Sequence, residues 1–155
     1  MLFYRQALTV NEPQVMQLKV SQLLKEPVGS TRRYLVDENL SILEGALPSR
    51  VFGEVKLLRT DRGVLARGNL KTSVELVCSR CLEPFSDKLV YDFEEEFFPV
   101  LDIVHDAYIP EPEDSEGFTI DEYHVLDISE AARQYAILAV PMKPLCRPNC
   151  KGISI

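Results

Sequence analysis

Val64-Leu-Ala-Arg67-Gly-Asn-Leu70-Lys-Thr-Ser-Val74-Glu-Leu-Val-Cys78 is the stretch whose reading decides the fold. Its even positions are Val64, Ala66, Gly68, Leu70, Thr72, Val74, Leu76 and Cys78, mostly apolar, while the odd ones, Leu65, Arg67, Asn69, Lys71, Ser73, Glu75 and Val77, are mostly polar. Successive side chains of a strand point to opposite faces, so this alternation predicts one long strand with a core face and a water face. Upstream, Val51 to Arg59 reads as a second strand, joined through Thr60-Asp61-Arg62-Gly63, a hairpin turn with its glycine expected in the left-handed conformation. Downstream, Leu89, Tyr91, Phe93 and Phe97 share one face of a third strand over 89–98, giving a three-stranded antiparallel meander.

Around this centre the signals are shorter. Residues 15–20 alternate like a strand and lead into a helical turn, Ser21-Gln-Leu-Leu-Lys-Glu26, which Pro27 stops; Gly29 marks a turn before a short strand at 32–36. Residues 99–126 are acidic and punctuated by proline, the composition of a mobile loop. Asp127 and Glu130 have capping-box spacing and open an apolar helix over 128–140, with Ile128, Ala132, Tyr135 and Leu138 or Ala139 on one face and Pro141 at its end. A chain of 155 residues holds one core. The expectation is an α+β fold in a single domain over 1–155, an antiparallel β-meander covered by a C-terminal helix, with cysteine pairs at the sheet turn and after the helix.

Those pairs are Cys78-Ser-Arg-Cys81 and Cys146-Arg-Pro-Asn-Cys150. Either spacing lets two sulfurs converge on one centre, and Arg80, Lys143, Arg147 and Lys151 supply cations that favour the thiolates a metal needs. The 64 residues between Cys81 and Cys146 exceed the spacing of a self-contained zinc ribbon, so a shared site has to be closed by the fold. Three readings stand: a structural zinc on Cys78, Cys81, Cys146 and Cys150, four reduced thiols, or a disulfide or redox pair. A three-thiolate site completed by His105 or His124 is a variant, against which both histidines stand in acidic context and are expected to face solvent.

Charge is segregated along the chain. The net charge is −7, yet residues 50–80 carry seven bases against three acids, residues 81–130 one base against sixteen acids, and residues 131–155 four bases and no acid. Both basic segments bear a cysteine pair, which predicts a positive face around the cysteines and an acidic belt elsewhere. Arg59, Arg62, Arg67, Lys71 and Arg80 are the candidate RNA-binding or partner-binding residues; two-residue steps of about 6.6 Å along the strand approximate phosphate spacing. No phosphate-binding glycine loop, Gly-x-Ser-x-Gly or His-Glu-x-x-His occurs, so no enzyme is expected. Neither a signal peptide nor a run of about 20 apolar residues is present, from which a cytoplasmic protein that keeps away from membranes is expected.

Taken jointly, Ser21-Gln-Leu-Leu-Lys-Glu-Pro-Val-Gly-Ser-Thr-Arg32, Cys78-Ser-Arg-Cys-Leu-Glu-Pro84, Asp127-Ile-Ser-Glu130 and Leu138-Ala-Val-Pro-Met-Lys-Pro-Leu-Cys146 with Cys150-Lys-Gly152 resemble the YceD family over residues 15–152. These are the large ribosomal RNA subunit accumulation proteins of bacteria and chloroplasts. The resemblance implies a non-enzymatic ribosome-biogenesis factor for accumulation or processing of large-subunit ribosomal RNA, its partner being the precursor RNA or a ribosomal protein. The alternative is a zinc-stabilised adaptor that engages a basic ribosomal protein through the acidic belt and never touches RNA. Many members carry a further Cys-Pro-x-Cys-Gly after the Cys-Lys-Gly element, where this sequence reads Gly152-Ile-Ser-Ile155.

Overall fold

The structure is a computed structural model and describes residues 16–43, 45–102, 107–108 and 118–153. In chain order the elements are β1 (Gln17–Lys19), α1 (Ser21–Leu24), β2 (Thr31–Leu40), β3 (Ser49–Arg59), β4 (Val64–Val77), β5 (Pro84–Pro99), β6 (Leu101–Asp102), β7 (Ala107–Tyr108), β8 (Thr119–Ile120), β9 (Val125–Asp127) and α2 (Ser129–Ala139). The main sheet has the order β2-β3-β4-β5-β8; its first four strands are antiparallel and β8 joins β5 in parallel. β1 pairs with β9, and β6 with β7. The fold is α+β, as expected, but the meander has four long strands rather than three. Residues 32–36 are the first half of a ten-residue edge strand, whose continuation through Asp37-Glu38-Asn39-Leu40 is too polar to read as a strand.

Burial in β4 follows its alternation without a break, every even residue being buried. Opposite Gly68 stands Phe93, and a side chain at 68 would occupy the space of the Phe93 ring. Gly63 departs from expectation, because it is absent from the residues with positive φ. Thr60 closes that turn, its N–H donating to the Gly63 carbonyl at 2.9 Å and its hydroxyl accepting from the Gly63 N–H at 2.9 Å. Glycine is required there because a Cβ would run into the carbonyl of Phe97. Pro84 opens β5, the position where a missing N–H costs a strand least.

α2 lies against β5. The Tyr91 hydroxyl donates to the Ala132 carbonyl at 2.9 Å, and the Tyr135 and Phe93 rings stand 6.1 Å apart. Ala131, Ala132 and Ala136 are the buried helix residues, small enough to bring the backbone close to the bulky side chains of β5. Leu138 and Ala139, the alternatives expected on this face, are both exposed, Leu138 at 78% because two residues beyond Ala136 it has turned about 200° around the helix. The capping box also fails to form. Asp127 accepts from the Ser129 N–H at 2.9 Å, while Glu130 is held by Arg133 and Gln134 instead of reaching back.

The stretch 99–126 is less of a loop than its acidity suggests. Ile120 and Leu126 are buried in the core, and Phe118 packs on Phe97 with ring centroids 5.3 Å apart. Apolar positions inside an acidic sequence determine the packing here, whatever the mean composition. Its residues 103–106 and 109–117 lie outside the described residues.

Candidate metal centre

β4 delivers Cys78 to the end of the sheet, and a tight turn reverses the chain into β5. Within it the Leu82 N–H donates to the Cys78 carbonyl at 2.9 Å and the Cys78 N–H to the Glu83 carbonyl at 2.9 Å. Leu82 adopts the left-handed conformation, φ 65°, which costs a leucine roughly 1 kcal/mol or more. The segment after α2 is tied to this turn. Ser79 N–H donates to the Pro144 carbonyl at 2.8 Å, and Arg80 Nη1 donates to the Cys150 carbonyl at 2.9 Å. A further turn, Cys150 N–H to Arg147 carbonyl at 3.1 Å, aims the last cysteine inward.

All four sulfurs consequently lie within 4.8 Å of one another. Cys78 Sγ is 3.7 Å from Cys150 Sγ, and Cys81 Sγ is 3.7 Å from Cys146 Sγ. Four sulfurs held tetrahedrally at about 2.3 Å from one ion are separated from each other by about 3.8 Å, whereas a disulfide needs about 2.05 Å. The cluster has the spacing of a metal site, and all four cysteines are unbridged. Cys78 and Cys150 are buried; Cys81 and Cys146 are half-buried.

The thiols are electrostatically unequal. The backbone N–H of Cys81, joined by those of Cys146 and Arg80, pulls the Cys78 thiol down to about 5 against the cost of burial. Burial, together with the neighbouring sulfurs, pushes Cys146 up to about 12. Cys81 also rises: the Glu83 N–H favours its thiolate, but burial and the adjoining thiols outweigh it. One negative charge is favoured and further ones repel it, so a second and third thiolate need a cation at the centre.

His124 takes no part in this cluster. It is half-buried with φ 61°, its N–H donating to the Asp121 carbonyl and its carbonyl accepting from Val20, and its Nε2 is shielded from water without a partner. The expectation that it faces solvent is thereby overturned, because a turn between β8 and β9 packs it against the β1 end. His105 lies outside the described residues. Among the described residues, the cysteines alone bring three or more Cys, His, Asp or Glu ligand atoms together.

The five candidate binding residues do not share one face. Arg59 spends its guanidinium on the Leu24, Thr60 and Gly63 carbonyls, and Arg62 lies 5.0 Å from the Phe98 ring centroid. Both sit beyond the start of β4, whereas Arg80 lies past its far end, about 40 Å away along the strand. Arg67 and Lys71 do project from the outward face, but Arg67 meets Glu94 at 2.5 Å, and its neighbour Asn69 donates to Asp92 at 2.7 Å. Antiparallel pairing places the basic segment of β4 directly against the acidic segment of β5. The outward face also holds a row that sequence order conceals, Arg33, Lys56 and Arg67 in adjacent register on β2, β3 and β4, along an open groove of about 640 Å³. Arg33 there faces Glu54 at 3.7 Å.

Comparison with known proteins fits the cysteine geometry. The family profile described as "Large ribosomal RNA subunit accumulation protein YceD" matches residues 66–155. The chain belongs to the YceD family. The match contains both cysteine motifs, all of β4 but its first two residues, β5 and α2, and starts well after the Ser21–Arg32 stretch that also carried the resemblance. Curated relatives include three uncharacterized proteins, one of Mycobacterium bovis and two of Mycobacterium tuberculosis, each 28% identical over 116 residues, 75% of this chain and 52% of the relative. This YceD chain thus spans about half the length of the curated relatives it matches. No solved structure matches it. No helix among the described residues is long and apolar enough to cross a membrane.

Proposed function

We propose that this chain is a non-catalytic, cytoplasmic factor for accumulation of large-subunit ribosomal RNA, and that one structural zinc ion on Cys78, Cys81, Cys146 and Cys150 locks its carboxyl segment to its sheet. The observation that carries the reading is the convergence of two motifs from opposite ends of the family match on one tetrahedral-sized cluster. A wholly sulfur donor set at this spacing suits zinc, whose structural sites are closed and four-coordinate. The ion supplies charge balance and a cross-link, with no open position for a reacting molecule. The family description names RNA accumulation rather than a reaction, in keeping with a binding role. RNA precursor is the partner this reading favours, since exposed bases that outnumber the acids surround the cysteines.

Depletion of the protein is the test. Cells lacking it should accumulate immature large-subunit RNA and lose large subunits from a sucrose gradient, with small subunits spared. Unchanged RNA and subunit profiles would reject the role.

A further inference from the structure

Arg80, Lys143, Arg147 and Lys151 are all exposed, and they surround the cysteine cluster from both chain segments. None of them forms an ion pair with another described residue. Only Arg80 is committed to the cluster, through the Cys150 carbonyl. Glu83 is the one exposed acid in the turn, and residues 131–155 contain no acid at all. Four thiolates around a divalent ion leave two negative charges and Glu83 adds a third, still fewer than the four bases above them, so an outward positive surface remains.

Apolar side chains stand among these bases. Met142 is 100% exposed, Leu82 59% and Ile153 57%. Each belongs to the same end of the molecule: Pro144, two residues from Met142, is bonded to Ser79, Gly152 approaches the Arg80 carbonyl, and Leu82 is in the thiol turn itself. Leu82 is doubly disfavoured, presenting apolar surface to water in a left-handed backbone conformation, the kind of local cost that points to a functional surface.

We propose that this cysteine-built end is the RNA-docking surface and that it grips unpaired nucleotides of the large-subunit RNA, a loop or bulge, in preference to regular duplex. The proposal rests on the reading given under Proposed function. Lys143, Arg147, Lys151 and Arg80 contact phosphates, while Met142, Leu82 and Ile153 lie against splayed bases. Bases are available to such side chains only where the strand is unstacked, because the deep groove of an A-form helix excludes them. The outward sheet face is the weaker candidate, its Arg67 and Arg33 being already matched by Glu94 and Glu54.

The experiment measures fluorescence anisotropy with two labelled probes, a large-subunit stem-loop bearing about eight unpaired nucleotides and a fully paired duplex of equal length. Wild-type protein should bind the stem-loop at least about tenfold more tightly than the duplex. The triple variant Lys143→Glu, Arg147→Glu, Lys151→Glu should bind it about a hundredfold more weakly, with the salt slope reduced by about two, since each lost contact to a single strand removes roughly 0.7. Lys143→Gln, Arg147→Gln, Lys151→Gln should lose less, and Arg67→Gln, Lys71→Gln no more than about threefold. Unchanged metal content and circular dichroism identify variants that still fold. A wild-type protein that binds neither probe rejects the RNA reading itself. Stem-loop binding that survives the folded triple reversal, that falls most in the Arg67, Lys71 variant, or that a polyglutamate peptide of equal charge displaces as well as RNA does, overturns this surface assignment.

Discussion

The outward face of the sheet and the cysteine-built end both concentrate arginine and lysine, yet they are electrostatically opposite. On the sheet, Arg67 meets Glu94, Arg33 meets Glu54 and Arg50 meets Asp37, so bases are answered by acids one strand away. At the cysteine end no described acid pairs with Arg80, Lys143, Arg147 or Lys151. Strand pairing mixes charges that are far apart in sequence, whereas short turns around a thiolate cluster keep like charges together. Counting charges along a segment therefore says little about a sheet face and much about a compact turn.

Removing the ion is the strongest way to break the contrast. Structural zinc contributes on the order of 10 kcal/mol to small domains, so a strong chelator, or Cys150→Ser, should lower the melting temperature steeply and expose amides of 141–153 to hydrogen exchange. Amides of β4 paired with β5 at Arg67 and Asn69 should stay more protected than those. A freshly purified, reduced protein with no bound metal and a melting curve indifferent to chelator would remove the basis for treating the end as one built site.

Acid should act on the same end next. Metal binding must displace the protons that Cys81 and Cys146, both raised, hold in the metal-free cluster, while Cys78 at about 5 is already a thiolate at neutral pH. The metal-bound state thus carries fewer protons than the metal-free one, so the stabilisation grows with pH and falls as acid is added, more steeply once Cys78 too is protonated below about 5. Competition against a chromophoric chelator from neutral pH downward should show affinity falling roughly tenfold per unit for each displaced proton. A flat profile would exclude thiolate ligation.

The smallest effect separates paired from unpaired bases. Arg67→Glu sets a like charge against Glu94 and should cost about 0.5–1 kcal/mol in urea unfolding, a loss the added Glu94→Arg change restores. Arg147→Glu, with no described partner, should remain within about 0.5 kcal/mol of wild type. Equal costs at the two positions would erase the distinction between the surfaces.

Much of the sheet was legible in residues 51–98. Alternation is a local property with period two, so Val64 to Val77 declared both its strand and its buried face, whereas the pairing that sets Phe93 over Gly68 came only with the register. The helix was legible as an element but not in its docking: Ala131 and Ala136 face β5 because small side chains admit the large ones there, a choice made by the sheet and invisible in the helix's own pattern. The cysteine pairs announced metal chemistry by their spacing. Lys143, Arg147 and Lys151 were visible as their flanks, while the exposure of Met142, between Pro141 and Pro144, had no signal beyond that broken backbone.

By itself, then, the sequence determined the three strands over 51–98, the wet face of β4, and which four side chains are fit to hold a metal, because these depend on neighbours a few residues away. Only the tertiary structure decided that Cys81 and Cys146 stand 3.7 Å apart across 64 intervening residues, and that Arg67 is neutralised by Glu94. Both outcomes follow from where long elements end and in what register they pair, quantities fixed by packing of the whole core.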